Sequence, residues 1–345
     1  MHITDTIIME DRILLGHGSG GRQMHELIRD YFLKYFGNEH SQSMGDSAIL
    51  PAISGKIAMT TDSFVVDPVF FPGGDIGKLA VCGTVNDLAV AGAEPKYLTA
   101  GFIIEEGFPV SDLVKILKSM RKEADLAGIK IVAGDTKVVD KGKCDKIFIN
   151  TAGVGYVDEK YASLTSGSLV APGDVVILNG NLADHGMAIM AARSALNFRS
   201  SIESDCSSLN GIIKLLLSVT RGIKFMRDPT RGGLASVLCE VSSGRNWGIE
   251  VEEEKIPVSP ETRGLCEMLG FDPVYVANEG KFLMIIEKDE ADIALRTLKD
   301  HPMGVNAAAI GRVTPGHPGR VLMQTAIGGK RILDMLAGEQ LPRIC

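Results

Sequence analysis

The chain has 345 residues, of which 45% are hydrophobic, so it has enough apolar material for more than one core and favours two domains. Its net charge of −7 offers no basic surface for a phosphate backbone, so nucleic acid is not expected as a partner. No apolar stretch approaches the roughly 20 residues that span a bilayer, and Asp5, Glu10 and Asp11 interrupt the opening where a signal peptide would be apolar. These features predict a cytoplasmic protein without a membrane partner.

The first half alternates strand and helix patterns after a polar, glycine-rich opening. The stretch "KIAMTTDSF" predicts a strand that ends in a polar turn, and "DIGKLAVCGTVNDLAVAGAEP" predicts a helix that ends at Gly92 and Pro95. A second helix is predicted over "SDLVKILKSMRKEADLAG", with Ser111 as its N-cap and Gly128 at its end. The strand "IKIVAGDT" follows it directly.

The second half begins a new series near Pro172-Gly173, after the predicted linker "YASLTSGSLVAPG". Its predicted strands are "DVVILNG" and "KFLMIIE", and its predicted helices are "SSLNGIIKLLLSV", "GGLASVLCEVSS" and "PETRGLCEML". We therefore predict an α+β fold with a glycine-rich segment over 1–45, an N-terminal domain over 46–160, a C-terminal domain over 170–335 and a tail over 336–345.

The six cysteines contain no C-x-x-C pair, which argues against a zinc ribbon, an iron–sulfur cluster or a disulfide framework. Cys82 and Cys239 lie among apolar neighbours at helical spacing, which predicts burial. Cys345 differs because it is the last residue of the sequence, in "LPRIC", where a free thiol is either incidental or chemically active.

Five aspartates lie at the ends of predicted apolar segments: Asp46, Asp62, Asp87, Asp135 and Asp228. A single aspartate in such a position is usually a cap or a turn former. A magnesium ion on a nucleoside triphosphate, however, takes carboxylate oxygens from several elements together with substrate phosphates and water. The set of five therefore predicts a magnesium site.

The stretch "GHGSGGRQMHELI" provides a candidate phosphate-binding loop. Ser19, Gly20 and Gly21 come just before a predicted helix, so their backbone N–H groups could face a phosphate at its N-terminus. The loop matches neither the Walker pattern nor G-x-G-x-x-G, and a flexible linker would have the same composition. His17 is a lesser candidate inside the same loop.

Seven motifs then appear in order over nearly the whole chain: "GDSA", "TTDSFVVDPVFFP", "NDLAVAGAEP", "AGDTK", "GDVVILNGNLADHG", "DPTRGG" and "NEG". They resemble the PurM-like family of ATP-using enzymes, which includes aminoimidazole ribonucleotide (AIR) synthetase, selenophosphate synthetase and thiamine monophosphate kinase. The opening "GHGSGG" and the closing "PRIC" resemble one branch of it, the carbamoyl dehydratases of [NiFe]-hydrogenase maturation. The resemblance implies two AIR synthetase-like domains with mixed sheets packed by helices, a homodimer formed through the N-terminal domains, ATP and Mg²⁺ bound between domains, and a flexible tail.

The resemblance also implies a reaction at the last thiol. Cys345 would accept a carbamoyl group from the carbamoyltransferase HypF, and ATP-dependent dehydration would convert it to an enzyme thiocyanate. The cyanide would pass to iron held by HypC and HypD, as a ligand of the hydrogenase centre. Lys137 and Glu279 are the candidate side chains near this chemistry, and the candidate residues for ATP and its phosphates are Ser19, Gly20, Gly21, Asn86, Gly134, Thr136 and Arg231.

This reaction predicts that the tail has two positions. The eight residues from Gly338 have no apolar periodicity and could carry the thiol about 25 Å when extended. Cys345 must be exposed to receive the carbamoyl group and must then enter a water-excluding cleft. We therefore expect an outward and an inward state, with Pro342 stiffening the approach.

Three alternatives remain at this stage. A selenophosphate synthetase would carry a reactive cysteine or selenocysteine in its glycine-rich loop, which "GHGSGG" lacks. A thiamine phosphate kinase gives no role to the "PRIC" tail. A non-catalytic maturation scaffold could bind a partner through that tail, and it would show no ATP turnover.

Overall fold

The computed structural model describes residues 11–41, 47–52, 55–193, 201–336, 338, 341 and 343–345. In the N-terminal half, a short helical turn at Leu15–Gly18 precedes a run of helix made of α1 (Arg22–Leu27), a wider turn at Ile28–Phe32 and α2 (Leu33–Phe36). The elements that follow are β1 (Lys56–Phe64), β2 (Phe70–Phe71), β3 (Gly74–Asp75), α3 (Ile76–Val90), β4 (Ala93–Glu105), α4 (Val110–Ala127), β5 (Lys130–Val139) and β6 (Ile147–Val157).

The N-terminal sheet has the strand order β1-β6-β4-β5, with β4 and β5 parallel and the other neighbours antiparallel. Burial alternates along β1 and β6, so the sheet has one covered face and one open face. The helices α3 and α4 lie on the covered face. Asp75 caps α3 by accepting hydrogen bonds from the backbone N–H groups of Gly77 (2.7 Å) and Lys78 (3.0 Å).

The open face of this sheet carries exposed apolar side chains. Ile57, Met59 and Ile103 are 62%, 73% and 45% exposed. Asn150 on β6 lies on the same face, where its amide donates to the hydroxyls of Thr61 and Ser63. This row of apolar and small polar groups is a sheet surface that nothing in the described chain covers.

The C-terminal half contains a larger sheet with helices on both faces. Its elements are β7 (Val175–Leu178), α5 (Asp184–Arg193), α6 (Asn210–Val219), β8 (Ile223–Arg227), α7 (Gly233–Ser242), β9 (Gly248–Glu252), α8 (Pro260–Leu269), β10 (Leu283–Ile286), α9 (Ala291–Lys299), β11 (Ala308–Thr314), β12 (Val321–Gln324) and β13 (Lys330–Leu333). The strand order is β13-β12-β9-β11-β7-β10-β8.

The central strands β7 and β10 are apolar at nearly every position because both of their faces are buried. Leu283 and Ile285 pack in one core with α7, whereas Met284 and Ile286 pack in a second core with α6 and α9. The C-terminal end of α3 joins this second core, so α3 lies between the two halves of the molecule. Residues on α3 are therefore placed at the domain interface.

The structure confirms the type of every element predicted above and corrects three details. Pro109 rather than Ser111 precedes the first residue of α4, with no side-chain cap, and Pro95 lies inside β4 beside an irregularity in its pairing with β6. Cys82 is buried as predicted, but Cys239 is only half-buried. Within the described ranges no helix is both long and apolar enough to cross a membrane.

Candidate active site

Four of the predicted acidic residues converge at the domain interface. Asp62 lies near the end of β1 and Asp87 lies on α3, which packs on β1. Asp228 directly follows β8, and Glu279 precedes β10. Because β8 and β10 pair antiparallel with Arg227 opposite Leu283, these last two acids lie at the same end of the C-terminal sheet. We call Asp62, Asp87, Asp228 and Glu279 the acidic cluster.

Hydroxyl groups hold the N-terminal half of the acidic cluster in place. Thr60 donates to a carboxylate oxygen of Asp87 at 2.7 Å, and Thr84 donates to Asp62 at 3.4 Å. Thr84 also lies 2.5 Å from the hydroxyl of Thr151, which belongs to the strand next to β1. The two carboxylates are thus oriented by side chains from the sheet and the helix before any ligand arrives.

Charge repulsion and burial perturb the acidic cluster strongly. Burial, together with the nearby Asp87, raises the pKa of Asp62 to about 6. Burial and the charges of Asp87 and Asp62 raise the pKa of Asp228 to about 7. Burial, followed by the charges of Asp228 and Asp205, raises the pKa of Glu279 well above its ordinary value. The site therefore concentrates negative charge that a cation would neutralise.

The acidic cluster should destabilise the ligand-free protein as the pH rises. Since the folded-state pKa values of Asp62 and Asp228 lie above those of an unfolded chain, the folded protein binds these protons more tightly, and stability falls from about pH 4 to about pH 7. We expect Asp228→Asn to raise the free energy of unfolding by roughly 1–3 kcal/mol at pH 8 and to leave it unchanged at pH 4. Urea unfolding at both values measures this.

Asp135→Asn is the matched control for that measurement, because Asp135 is exposed and Lys137 lowers the pKa of its carboxyl. Its stability at pH 8 should be unchanged or slightly lower. A lower stability at pH 8 for Asp228→Asn would contradict a repulsive cluster.

Asn86 ties the acidic cluster to the second domain. Its side chain donates to the backbone carbonyls of Ser207 (3.0 Å) and Glu279 (3.1 Å) and accepts from the N–H of Leu209 (2.7 Å). Asn86 is 1% exposed, and in this structure its hydrogen bonds fix the position of Glu279, while its predicted contact with ATP stays a prediction. Gly83 on the same helix lacks a Cβ atom that would lie 2.9 Å from the ring of Phe64 and 4.0 Å from Glu279 Oε2.

Arg231 is one of two arginines whose charge acts on the acidic cluster among the described residues, the other being Arg227 beside Asp228. Arg231 is exposed, and its charge partly offsets the raised pKa of Asp62. Gly233, two residues on, has a φ of +62°, and a Cβ there would lie 2.6 to 2.8 Å from the backbone of residues 274 to 276. The "DPTRGG" motif thus lets its loop pack closely enough to present Asp228 and Arg231 together.

Asp135 and Lys137 lie elsewhere in the chain. The backbone register places Asp135 beside Gly101 and Asn150 on the open face of the N-terminal sheet, three strand spacings, or about 14 Å, from β1. Lys137 forms an ion pair with Asp135, at 2.7 Å. The structure therefore does not bring these two residues to the acidic cluster of the same chain.

A cavity of about 230 Å³ opens at the edge of β5. Gly134 and Thr136 line it together with an aromatic cluster in which the rings of Phe32 and Phe102 meet edge to face, with centroids 4.9 Å apart. A Cβ at Gly134 would lie 2.6 Å from the carbonyl of Ala100, so only glycine allows β5 this approach to β4. The cavity is mostly apolar with a polar rim, which suits a planar heterocycle.

The glycine-rich loop has the predicted position. Ser19, Gly20 and Gly21 are exposed and directly precede α1, and the N–H of Gly20 points to the sulfur of Met24, which lines the cavity. His17 is buried, and its ring accepts a hydrogen bond from the backbone of Leu14 at 2.9 Å. His17 therefore stabilises the turn and is not presented to a ligand.

The predicted magnesium ligands divide into described and undescribed residues. Asp46 lies outside the described residues, and among those that are described no three or more His, Cys, Asp or Glu side chains are arranged to hold a metal ion. The donor set of the acidic cluster nevertheless has the right chemistry, since it consists of hard oxygens whose mutual repulsion a divalent cation would relieve.

The described tail residues occupy the cleft. Residues 343–345 run antiparallel to 65–67, with the N–H groups of Val65 and Asp67 donating to the carbonyls of Cys345 (3.1 Å) and Arg343 (3.3 Å). Ile344 is 3% exposed, and Cys345 is half-buried against the same apolar core as Phe64. This docked position lies within about 10 Å of Asp62 along the strand direction, and the exchange between an outward and an inward state stays a prediction.

Several residues that shape the site were missed by sequence reasoning. Asp205 accepts from the N–H groups of Glu279 (3.1 Å) and Gly280 (3.2 Å), and its carboxylate is 3.2 Å from Lys281. His185 contacts the carbonyl of Ile344 at 2.9 Å. Asp205 lies outside the seven motifs, and His185 lies inside "GDVVILNGNLADHG" but was given no role, so only tertiary contacts reveal what the two residues do.

Comparison with known proteins gives consistent results over nearly the full length. The chain matches the family models "AIR synthase related protein, N-terminal domain" over residues 44–157 and "AIR synthase related protein, C-terminal domain" over residues 171–324. It is 48% identical to the carbamoyl dehydratase HypE of Rhodobacter capsulatus over 341 residues, which is 98% of this chain and 99% of that protein.

Two solved structures are also similar to this chain. A hydrogenase maturation protein HypE in complex with ATP has a TM-score of 0.91 and 47% identity, covering 96% of this chain and 99% of that one. The chain in a HypE–HypF complex has a TM-score of 0.77 and 50% identity, covering 90% of this chain and 99% of that one.

Proposed function

Because this chain belongs to the HypE family of hydrogenase maturation carbamoyl dehydratases, with two AIR synthase-related domains, we propose that it dehydrates a carbamoyl group carried on Cys345. The product is a thiocyanate on the same sulfur, formed at the expense of ATP. The observation that carries the proposal is the placement of Cys345 in the cleft, beside the strand that bears Asp62.

The proposed reaction has two chemical steps. The carbamoyl oxygen attacks the γ-phosphorus of ATP, which releases ADP and gives an O-phosphorylated intermediate, with one proton lost from nitrogen. The C–O bond then breaks, phosphate leaves, and loss of the second N–H proton completes the C≡N bond. Phosphorylation is needed because oxide or hydroxide is a poor leaving group from a carboxamide, whereas phosphate is a good one. The step is therefore a carbon–oxygen lyase reaction.

Glu279 is the proposed general base. Its carboxyl is buried and has a raised pKa, which brings its proton affinity closer to that needed near neutral pH. Among the described residues its hydrogen bonds engage only the backbone, through Asp205 and Asn86, so the carboxyl group is held in place by its main chain. The backbone bonds therefore position Glu279 and leave its carboxyl group available to take up a proton.

ATP binding is proposed by likeness to the HypE structure that contains ATP. In this chain the cavity at the edge of β5 has room for the base, and the exposed loop of Ser19, Gly20 and Gly21 is the proposed phosphate contact. The N–H groups of Ser19 and Gly20 would exchange their present acceptors, the carbonyl of Gly16 and the sulfur of Met24, for phosphate oxygens. Asp62, Asp87 and Asp228 would hold Mg²⁺, which would neutralise phosphate charge during phosphoryl transfer. Arg231 is placed to contribute a fixed positive charge beside them.

We expect Asp87→Asn to weaken Mg²⁺-dependent ATP binding at least tenfold while leaving the fold intact, because it removes a ligand charge and conserves shape. The same change at Asp135 tests whether that exposed carboxylate also belongs to the site. Calorimetric titration with ATP, with Mg²⁺ and with EDTA, measures the difference. Unchanged affinity and turnover in both variants would remove these residues from the metal site.

We also propose that the active form is a homodimer that buries the open face of the N-terminal sheet. Ile57, Met59 and Ile103 form the apolar part of that face. Lys137 is held in an ion pair with Asp135 on that face, three strands from the strand that bears Asp62. In such a dimer, Asp135 and Lys137 of one subunit could approach the active site of the other.

The partner proposals follow from the reaction. HypF is proposed as the carbamoyl donor, by likeness to the chain solved in a HypE–HypF complex. An iron complex held by HypC and HypD is proposed as the cyanide acceptor. A cytoplasmic location is proposed as well, since the described residues contain no disulfide bond.

The two non-dehydratase readings make different predictions. A selenophosphate synthetase or a thiamine phosphate kinase would turn over ATP without any mass change on Cys345. A scaffold would bind HypF and consume no ATP. Intact-mass analysis of the chain after incubation with HypF, carbamoyl phosphate and ATP separates the dehydratase from both alternatives, and ATP turnover by the chain alone separates the other two.

A further inference from the structure

We propose that His185 is a positioning residue that holds the Cys345 segment in the cleft by donating a hydrogen bond to the carbonyl oxygen of Ile344. The inference rests on the proposed role of Cys345 as the carbamoyl carrier. We call the hydrogen bond from His185 to the Ile344 carbonyl the latch. His185 is not in contact with the acidic cluster, and it acts on the reaction only through the position of the tail.

The hydrogen bonds of His185 define its tautomer. Its Nε2 atom lies 2.9 Å from the Ile344 carbonyl, which can only accept, so Nε2 carries the proton. Its Nδ1 atom lies 2.7 Å from the hydroxyl of Ser204, which must donate to the neutral ring and itself accepts from the N–H of Cys206 at 3.1 Å. Full burial lowers the pKa of His185, which keeps the ring neutral.

Packing fixes the orientation of the ring as well. Phe71 meets it edge to face, with ring centroids 5.7 Å apart at 86°. Gly186, the next residue on α5, allows the helix to approach Val276, because a Cβ there would lie 2.4 Å from that side chain and 3.4 Å from Leu341. The donor is therefore presented to the tail by a rigid, closely packed helix.

A second residue on α5, Arg193, forms a hydrogen bond with the carbonyl oxygen of Arg343. Arg193, at the end of the helix, donates to the backbone oxygens of Asp67 and Arg343. The tail is thus held on one side by α5 of the C-terminal domain and on the other by residues 65–67 of the N-terminal domain. The bonds that reach the tail from His185, Arg193, Val65 and Asp67 are made to main-chain oxygens of residues 343–345, so they are independent of what the sulfur of Cys345 carries.

The loop that orients His185 also contacts the backbone of Glu279. Ser204 and Cys206 support the ring, while Asp205 between them accepts from the N–H of Glu279, and Ser207 accepts from Asn86. The N–H of Ser204 also donates to the carbonyl of Pro72 in the other domain, at 2.8 Å. One short segment thus sets the position of the proposed base and of the tail donor together.

Two substitutions of His185 distinguish the loss of its hydrogen bond to Ile344 from the loss of side-chain volume. The amide nitrogen of glutamine can occupy the place of Nε2, so His185→Gln keeps the donor to Ile344. The shorter asparagine amide reaches only the place of Nδ1, so His185→Asn loses that donor and keeps a polar group for Ser204. We expect the asparagine variant to release the tail and the glutamine variant to retain it.

Two rates measure how firmly the tail is held, and neither needs a substrate: alkylation of the Cys345 thiol and deuterium exchange at the backbone amides that bond to the tail. We expect His185→Asn to raise the rate of Cys345 alkylation by iodoacetamide, and deuterium uptake at the amides of Val65 and Asp67, by roughly fivefold to tenfold. His185→Gln should stay within about twofold of the unmodified protein. Thermal unfolding of each variant establishes that the fold is retained. If His185→Asn does not fold, Ser204→Ala replaces it and should raise both rates by about twofold to fivefold, because the ring loses its Nδ1 partner.

Protection equal to that of the unmodified protein in His185→Asn, or in Ser204→Ala where it is used, would overturn the latch. So would equal release in the asparagine and glutamine variants. A dehydration assay completes the set: His185→Asn should still accept a carbamoyl group and should dehydrate it more slowly. If the unmodified protein itself shows no dehydration, the proposed function fails, while alkylation and exchange still decide whether His185 holds the tail.

Discussion

Replacing Cys345 by alanine should abolish carbamoylation of the chain while leaving ATP binding intact. The sulfur is the only atom of that side chain able to form the thiocarbamate, so no residual acceptance is expected. The nucleotide residues proposed above lie on β1, α3, β5, the glycine-rich loop and the loop after β8, not on the tail. ATP affinity should therefore change by no more than about twofold. Mass spectrometry with HypF and carbamoyl phosphate measures the first quantity, and calorimetric titration measures the second.

Cys239→Ala is the matched control, because Cys239 is the other half-buried thiol of the chain and lies on α7. It should accept a carbamoyl group as the unmodified protein does. Carbamoylation of the Cys345→Ala variant, or its loss in Cys239→Ala, would contradict the assignment of the acceptor.

Replacing Glu279 by glutamine should leave carbamoylation unchanged and slow dehydration by about 10²- to 10⁴-fold, the usual contribution of a positioned general base. Glutamine conserves the shape and cannot take up the proton. In the unmodified enzyme the rate should increase with pH through the pKa of Glu279, and burial places that rise at a higher pH than an ordinary glutamate would give. The glutamine variant should lose this rise. The carbamoylated variant should accumulate in the presence of ATP, which intact mass detects.

Glu123→Gln is the control for this experiment, since Glu123 is also buried but lies on α4 and is not a member of the acidic cluster. Lys137→Ala tests the second predicted residue and should also accumulate the carbamoylated form if Lys137 acts in a dimer. Normal loss of water in Glu279→Gln would strike Glu279 from the mechanism, and the same result in Lys137→Ala would strike Lys137.

The local sequence predicted the elements well because apolar periodicity reports which residues are buried. The ends of β1 and α4 follow from "TTDSF" and from Gly128, whose φ of +70° closes the helix. The N-cap of α4 was misassigned because Ser111 and Pro109 both precede the apolar face, and a proline with an extended backbone can begin a helix without a side-chain cap.

The face on which each acid lies could not be read from local sequence. Asp62 and Asp135 both sit in strands followed by polar residues, yet Asp62 faces α3 and Asp135 faces outward. The facing depends on strand register, and the pairing of β4 with β5 shifts by one residue between Leu98 and Thr99. A single shift of this kind moves a side chain to the other side of a sheet.

The sequence predicted two positions for the tail but not the contacts that hold it in the docked one. Its last residues have no periodicity, and their position depends on His185 and Arg193, which lie about 150 residues away in sequence. Such long-range backbone contacts leave no mark in the tail itself. The resemblance supplied the role of Cys345, and the fold supplied the groups that hold it.

The most direct test of the central claim is the intact mass of the chain during a single incubation with HypF, carbamoyl phosphate and ATP. The proposed function predicts a gain of one carbamoyl group on Cys345 followed by the loss of one water, with the second change absent when ATP is withheld. A mass that does not change, or a carbamoylated chain that never loses water in the presence of ATP, would contradict it.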